Sequence, residues 1–270
     1  VIAGATYIKV DYNRAMKNPR CILITGASSG IGEALAHYFA MPGVFLALSG
    51  RDQARLDKVA QVCRDKGAEV SAELVDVCDR DAMADWIKRT DQVQPLDLVI
   101  ANAGISGDSG SNSIDLNENL TRDIFAVNFA GVLNTIFPAL TPMRKRQRGQ
   151  LALVSSMAGF RGLPSAPAYS TSKVMVKAYG EALHGVLAKE GIGVSVICPG
   201  FVESRITAKN KFPMPLLMKA PKAARIIAGG LAKNRLLIAF PWPFVAFMWS
   251  LNLLPPCWAN KLLSRLPKKG

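Results

Sequence analysis

Tyr169 and Lys173 stand four residues apart in a stretch, 168–190, that is poor in glycine and rich in Ala, Leu, Val and Lys. Such a composition reads as one long helix. Side chains four apart on a helix share a face, with Cβ atoms roughly 5–6 Å apart, so the phenol and the ammonium meet in one small volume. A free phenol has a pKa of about 10 and is a poor proton carrier at neutral pH. A fixed positive charge beside it stabilises the phenolate and draws that pKa towards the working range. The pair is therefore suited to giving and taking a proton. A Tyr and a Lys at this spacing also occur by chance on ordinary surface helices, so the reading depends on the elements that position them.

From Arg20 onward the chain alternates short apolar runs with helical patterns. Strands are predicted at 21–25, 44–49, 70–75, 96–101, 151–155, 194–198 and 236–240, and helices near 31–41, 53–66, 80–91, 115–140, 168–190 and 221–233. Continuous apolar strands separated by helices indicate a parallel sheet covered on both faces. The expected architecture is α/β: one doubly wound parallel sheet of about seven strands over residues 16–240, followed by an appendage at 241–270. Met16, Lys-Asn-Pro-Arg and then a strand read as a natural start, which leaves 1–15 as an added segment or an extra strand. The apolar beginning lacks a basic flank and meets Lys9 and Asp11 early, unlike a secretory signal.

Ligands of such sheets bind beyond the carboxyl ends of the strands. The first predicted strand runs into Gly26, Ser28, Ser29, Gly30, Ile31 and Gly32 and then a helix. Glycines allow a tight turn and close backbone approach, and a helix N-terminus offers N–H groups to a pyrophosphate. The spacing is G-x-x-x-G-x-G rather than G-x-G-x-x-G, and a purely structural turn is the alternative to dinucleotide binding. After the second strand comes Gly50-Arg51-Asp52. NAD(H) calls for an acid at this strand end and NADP(H) for a cation. Arg51 supplies the cation, Gly50 stands where the acid would be, and Asp52 reads as the N-cap of the next helix. NADP(H) is favoured over NAD(H).

With the glycine pattern, Asp76-Val77 after the third strand, Ala101-Asn102-Ala103-Gly104 after the fourth, Asn128, Ser156, Tyr169/Lys173 and Pro199-Gly200 in order, the chain resembles the short-chain dehydrogenase/reductase family over roughly residues 20–240. Ala101 departs from the pattern, since the family usually has Asn there. The resemblance implies a Rossmann-like fold and a catalytic set of Asn128, Ser156, Tyr169 and Lys173. Tyr169 would exchange a proton with the substrate oxygen, and Lys173 would lower the Tyr169 pKa and hold the nicotinamide ribose. Ser156, selected over Ser155 by the family's interval to Tyr169, would hold the substrate oxygen. Asn128 would keep a water in a proton relay behind Lys173. Gly26, Ser28, Ser29, Gly30, Ile31, Gly32, Arg51, Asp76, Val77, Asn102, Pro199, Gly200, Val202 and Ser204 would join Tyr169 and Lys173 around the cofactor. Ser204 replaces the commoner Thr with the same hydroxyl. The resemblance also implies a homodimer or homotetramer, pairing through the helices near 115–140 and 168–190. The segment 212–218, with Met214 and Met218, falls where the family places a mobile substrate lid; its apolar character suits a lipophilic substrate or mere coverage of the core. Residues 160–164 are expected to form another pocket wall.

Composition narrows the rest. Apolar content of 50% and charged content of 20% suit a globular chain. The five cysteines show no paired or metal-like spacing, and Cys21, Cys78 and Cys198 adjoin apolar runs, a pattern of buried, reduced thiols in a cytoplasmic protein. His37 and His184 fall in separate predicted helices, giving no support for a metal site or histidine triad. The run Arg144–Arg148 lacks the aromatic partners of a nucleic-acid site and reads as a solvated helix end. After Glu203 there is no Asp or Glu, whereas twelve Lys and Arg follow, so most of the net charge of +13 belongs to the last quarter. Residues 236–259 carry no charge and include Trp242, Trp249 and Trp258, but prolines confine any helix there to about 244–254, too short to span a bilayer. That tail either packs on protein or lies at a membrane surface. The expected function is NADP(H)-dependent interconversion of a carbonyl and a secondary alcohol on a small, lipophilic substrate. The rivals are a non-catalytic NADP(H)-binding regulator or scaffold and a membrane-peripheral lipid-type ketoreductase.

Overall fold

The computed structural model describes residues 18–107, 117–208, 210 and 213–264; the predicted extra segment at 1–15, Phe212 of the lid and the last basic residues lie outside them. Seven strands, β1 (Cys21–Ile24), β2 (Phe45–Gly50), β3 (Glu69–Leu74), β4 (Leu98–Ala101), β5 (Gly149–Val154), β6 (Ile192–Pro199) and β7 (Leu237–Phe240), form one parallel sheet in the order β3-β2-β1-β4-β5-β6-β7. Ten α-helices are described: α1 (Gly30–Phe39), α2 (Gln53–Asp65), α3 (Arg80–Val93), α4 (Glu118–Phe125), α5 (Gly131–Arg146), α6 (Pro167–Leu187), α7 (Arg205–Ala208), α8 (Ala220–Leu231), α9 (Trp242–Leu253) and α10 (Pro256–Leu263).

Strand side chains alternate faces, and the alternation divides the core in two. Ile22, Ile24, Leu46, Leu48, Leu98 and Ile100 pack with α1, α2 and α8. Cys21, Leu23, Ala47, Val99, Leu151 and Leu153 pack with α3, α5 and α6 on the other face. The doubly wound Rossmann-like architecture follows from that period. The two edge strands depart from the expectation of strands buried on both faces: β3 is partly buried to exposed along its length, and β7 alternates buried with partly buried residues. The strand order reverses at β1, between β2 and β4, and this switch point opens a crevice at the carboxyl ends.

Residues 118–146 run as one helical stretch, α4 and α5 joined by a π turn at Ala126–Ala130 that contains Asn128. It is long and apolar enough to cross a membrane by composition, but half of its apolar window is buried in the core. The basic run is not merely a solvated helix end. Arg144 pairs with Glu190, Arg146 with Asp91 at 2.8 Å and Arg148 with Asp97 at 3.2 Å, because acids from three neighbouring elements converge where α5 turns into β5. All five cysteines are free; Cys21, Cys63 and Cys198 are buried, whereas Cys78, expected inside, is exposed on the loop after β3. In the tail, α9 begins at Trp242 rather than Phe244, since Pro243 sits in its first turn, where a missing N–H costs nothing.

Candidate active site

Pro167 opens α6 and sets Tyr169 and Lys173 on the face turned to the ends of β5 and β6. Lys173 is only 4% exposed; its Nζ donates to the Val154 carbonyl at 3.0 Å and lies 5.8 Å from the centre of the Tyr169 ring. Beyond β5 the two serines divide. Ser155 Oγ donates to the Lys173 carbonyl at 2.7 Å, fixing α6 to the sheet. Ser156 is extended, caps the short turn Met157–Phe160 by accepting from the Ala158 N–H at 3.1 Å, and reaches the Tyr169 hydroxyl. Asn128 is fully buried. Its Oδ1 accepts from the Ile105 N–H at 2.8 Å, and its Nδ2 donates to the Ile105 carbonyl at 2.9 Å and to Ser172 Oγ at 3.0 Å. The carboxamide therefore clamps the loop after β4 to α6.

Electrostatics in the chain alone differ from the sequence-based expectation. Burial pushes the Tyr169 phenol above its ordinary value, offset in part by the Ser156 hydroxyl. Burial also pulls Lys173 down to about 8, countered by Cys198. The spacing of the pair suggested a lowered phenol, but desolvation dominates both groups and makes the ammonium itself expensive. A phenol so placed is protonated at neutral pH, the state from which it donates.

A cavity of about 320 Å³ runs along the switch-point crevice, lined by Gly26, Ser28, Ser29, Gly30, Ile31, Arg51, Asn102, Ser156, Tyr169, Lys173, Pro199, Gly200, Val202 and Ser204. Gly26 and Gly30 have φ of +66° and +62°, where a side chain is strained. Ser29 precedes α1 in an extended conformation and makes no side-chain cap, leaving the helix's first amides facing the crevice. These are the features of a pyrophosphate cradle, and the residues fit a dinucleotide. Gly32 lies just off the wall, where an added Cβ would strike the Gly26 carbonyl and the Asn102 amide. Asn102 Nδ2 donates to the carbonyls of Thr25, at 2.9 Å, and Gly26, at 3.1 Å, bracing the glycine turn. Asp76 and Val77 are not in the wall either: Asp76 accepts from the Cys78 N–H at 2.9 Å within its own loop, and Val77 is buried against Gly131.

Arg55 also lines this cavity and was missed by the sequence reading. Asp52 both caps α2, accepting from the Arg55 N–H at 3.0 Å, and pairs with the Arg55 guanidinium at 3.0 Å. Its position one helical turn past Arg51 was the available signal. Gly50 has no room for the acid that NAD(H) calls for, since a Cβ there would lie 2.9 Å from Ser28 Cβ.

A second, mostly apolar cavity of about 390 Å³ adjoins the first and shares Ser156, Tyr169, Gly200, Ile206 and Thr207 with it. Leu163 and Pro164 line it, as expected for 160–164, and Pro213 and Pro215 contribute from the predicted lid. Met218 instead bridges to Val202 and packs on the core. The remaining wall comes from the tail: Phe244, Phe247 and Met248 of α9 and Leu263 of α10. Phe201, Phe244 and Phe247 form a stack, with centroids 6.0 and 6.4 Å apart. Nothing in the local sequence around Tyr169 points to a wall some 75 residues downstream.

The family model described as short chain dehydrogenase matches residues 20–213. An uncharacterised oxidoreductase of Myxococcus xanthus is 36% identical over 237 residues, covering 87% of this chain and 93% of the relative. The 11-beta-hydroxysteroid dehydrogenase 1A of Arabidopsis thaliana is 29% identical over 90% of this chain and 75% of its own length. Among solved structures, a short-chain dehydrogenase from Sphingobium yanoikuyae in complex with NADPH superposes with a TM-score of 0.77 at 23% identity, covering 93% of this chain and 97% of that one. With the parallel sheet, the glycine turn and the Ser156, Tyr169 and Lys173 cluster at its carboxyl end, the chain belongs to the short-chain dehydrogenase family of oxidoreductases.

Proposed function

We propose that the protein is an NADP(H)-preferring reductase that interconverts a lipophilic ketone and its secondary alcohol. The observation that carries this reading is the meeting of two cavities at shared hydroxyls: the polar crevice suited to a dinucleotide and the apolar cavity have Ser156 and Tyr169 in common, with Ser106 and Thr207 beside them. The bound nicotinamide would supply or accept the hydride. Gly26, Ser28, Ser29, Gly30 and Ile31 would hold the pyrophosphate, Asn102 the shape of the turn beneath it, and Pro199, Gly200, Val202 and Ser204 the nicotinamide end. Arg51 and Arg55 would take the 2′-phosphate, a dianionic group that a guanidinium fork grips well. The NADPH held by the Sphingobium structure supports this preference.

Ser156 orients the substrate oxygen and Tyr169 delivers the proton to it as the carbonyl is reduced, or removes it in the reverse direction. Lys173, held on the Val154 carbonyl, anchors the ribose and steadies the phenolate left behind. Asn128 acts through position, by fixing the Ile105 loop and Ser172 beside Lys173. The apolar second cavity supports a lipophilic substrate, as does the hydroxysteroid named for the Arabidopsis relative. A homodimer or homotetramer is part of the proposal, supported by Phe137 on α5 and Val186 on α6, both more than half exposed on helices the family uses for pairing. The test follows NADPH oxidation with ketones of rising hydrophobicity. Turnover is expected for wild type and a loss of about 10²–10⁴ for Tyr169→Phe with NADPH binding retained. Full turnover in the variant, or none in the wild type with any ketone, would overturn the reading.

A further inference from the structure

The helix α9 is apolar on two opposite sides. Phe244, Met248 and Leu251, at i, i+4 and i+7, face inward, where Met248 and Leu251 pack with Met157, Val196 and Cys198. Trp242, Ala246, Trp249 and Leu253, also at i, i+4, i+7 and i+11, form a stripe on the other side that is exposed along its whole length. Trp242 is 78% and Leu253 87% exposed. On α10, Trp258 and Leu262 continue the exposed apolar surface, with Lys261 between them. A helix facing water on one side carries polar residues there; this one carries tryptophan.

Two occupants suit an apolar face of this kind, a second copy of the chain or a lipid surface. An isologous pairing sets the same patch against itself. From Ser204 to the end every charged residue is Lys or Arg, so a self-pairing tail would juxtapose like charges with no acid of its own to meet them. The same imbalance complements an anionic bilayer, whose interface also accommodates Trp rings at headgroup depth. Phe247 adds a functional link: it lines the apolar cavity and is 38% exposed, so one ring separates the cavity from the outer face of α9.

We propose that α9 and α10 dock in the interfacial layer of an anionic membrane, and that the lipophilic substrate passes from that layer into the cavity beside Phe247. The substrate half of this statement rests on the function proposed above; the docking half does not. The test uses the full chain, sedimented with phosphatidylcholine vesicles with and without phosphatidylglycerol. Three of the four tryptophans lie in the tail and Trp86 is fully buried, so tryptophan emission reports the docking directly. Binding to the anionic vesicles with a blue shift is expected, weakened by salt. Replacing the exposed rings together, Trp242→Ser, Trp249→Ser and Trp258→Ser, should weaken binding about tenfold or more. NADPH binding and reduction of a short, water-soluble ketone should stay unchanged in that variant, while the KM for a long-chain ketone presented in vesicles should rise. No binding to anionic vesicles, or equal binding to both compositions, would overturn the docking. A wild-type dimer that the triple variant splits, without any vesicle binding, would assign the face to a second copy. Vesicle binding without ketone reduction would sink the function proposed for the site and leave the docking standing.

Discussion

Burial of Lys173 beside Tyr169 has a cost that can be measured in the cofactor-free protein. The lysine's folded pKa, about 8, lies below its ordinary 10.5. Below pH 8 the folded state must hold an ammonium against desolvation, so the penalty is full there; it is relieved as pH rises from 8 to 10.5. Lys173→Met should therefore melt at a higher temperature than wild type at pH 7, with the gap closing by pH 10. A gap that is constant with pH would show that the lysine is not destabilised by burial. The two arginines give a second expectation. Arg51→Ala and Arg55→Ala should each weaken NADPH binding by about tenfold or more and leave NADH binding nearly unchanged, since only NADPH carries the 2′-phosphate. Titration of both cofactors against both variants checks this, and equal losses for the two cofactors would contradict it. At this scale the sequence was legible where the candidate site depends on short spacing: that Tyr169, Lys173, Ser156 and the glycine turn line one crevice follows from their neighbours. It was not legible where function depends on burial. The direction of the Tyr169 shift and the clamp of Asn128 on Ile105, 23 residues away, exist only once the chain is folded.

Among the elements, the strands were readable to within about two residues because an apolar run ends wherever the chain leaves the sheet. The tail helices were harder. A helix with apolar stripes on opposite sides has no preferred direction in its sequence, so α9 announced neither its inward nor its outward partner. Its inward side proves to be pocket wall. Phe244 stands in the middle of the ring stack, between Phe201 and Phe247. Phe244→Ala should enlarge the apolar cavity, raise the KM for bulky lipophilic ketones by about tenfold, and leave the NADPH affinity as it was. Steady-state kinetics with ketones of graded size provide the check. A variant whose cofactor affinity falls together with its ketone affinity would mean that α9 supports the whole crevice rather than one wall of it. The π turn at Ala126–Ala130 is a smaller case: a helical stretch was read correctly, but a single wide turn that aims Asn128 leaves no trace in periodicity.

At the level of the molecule, the proposed assembly and the proposed membrane face are built on different helices. Phe137 and Val186 belong to α5 and α6, far in the chain from the tryptophan stripe of α9. Light scattering of the wild type should give a dimer or tetramer, and Phe137→Arg combined with Val186→Arg should shift it towards monomer without altering vesicle binding. A monomeric wild type would remove the assembly from the proposal. The placement of the second cavity carries a historical consequence. The hydroxyls and the glycine turn lie within residues 20–213, the part that the family shares, whereas Phe244, Phe247, Met248 and Leu263 come after it. One part of the apolar cavity's wall is thereby written on a stretch of the gene separate from the hydroxyls it surrounds, while Leu163, Pro164 and Phe201 remain within the shared part. Under the proposed function, a lineage can rewrite the codons of that one wall and retune which substrate fits while inheriting the Ser156 and Tyr169 hydroxyls intact.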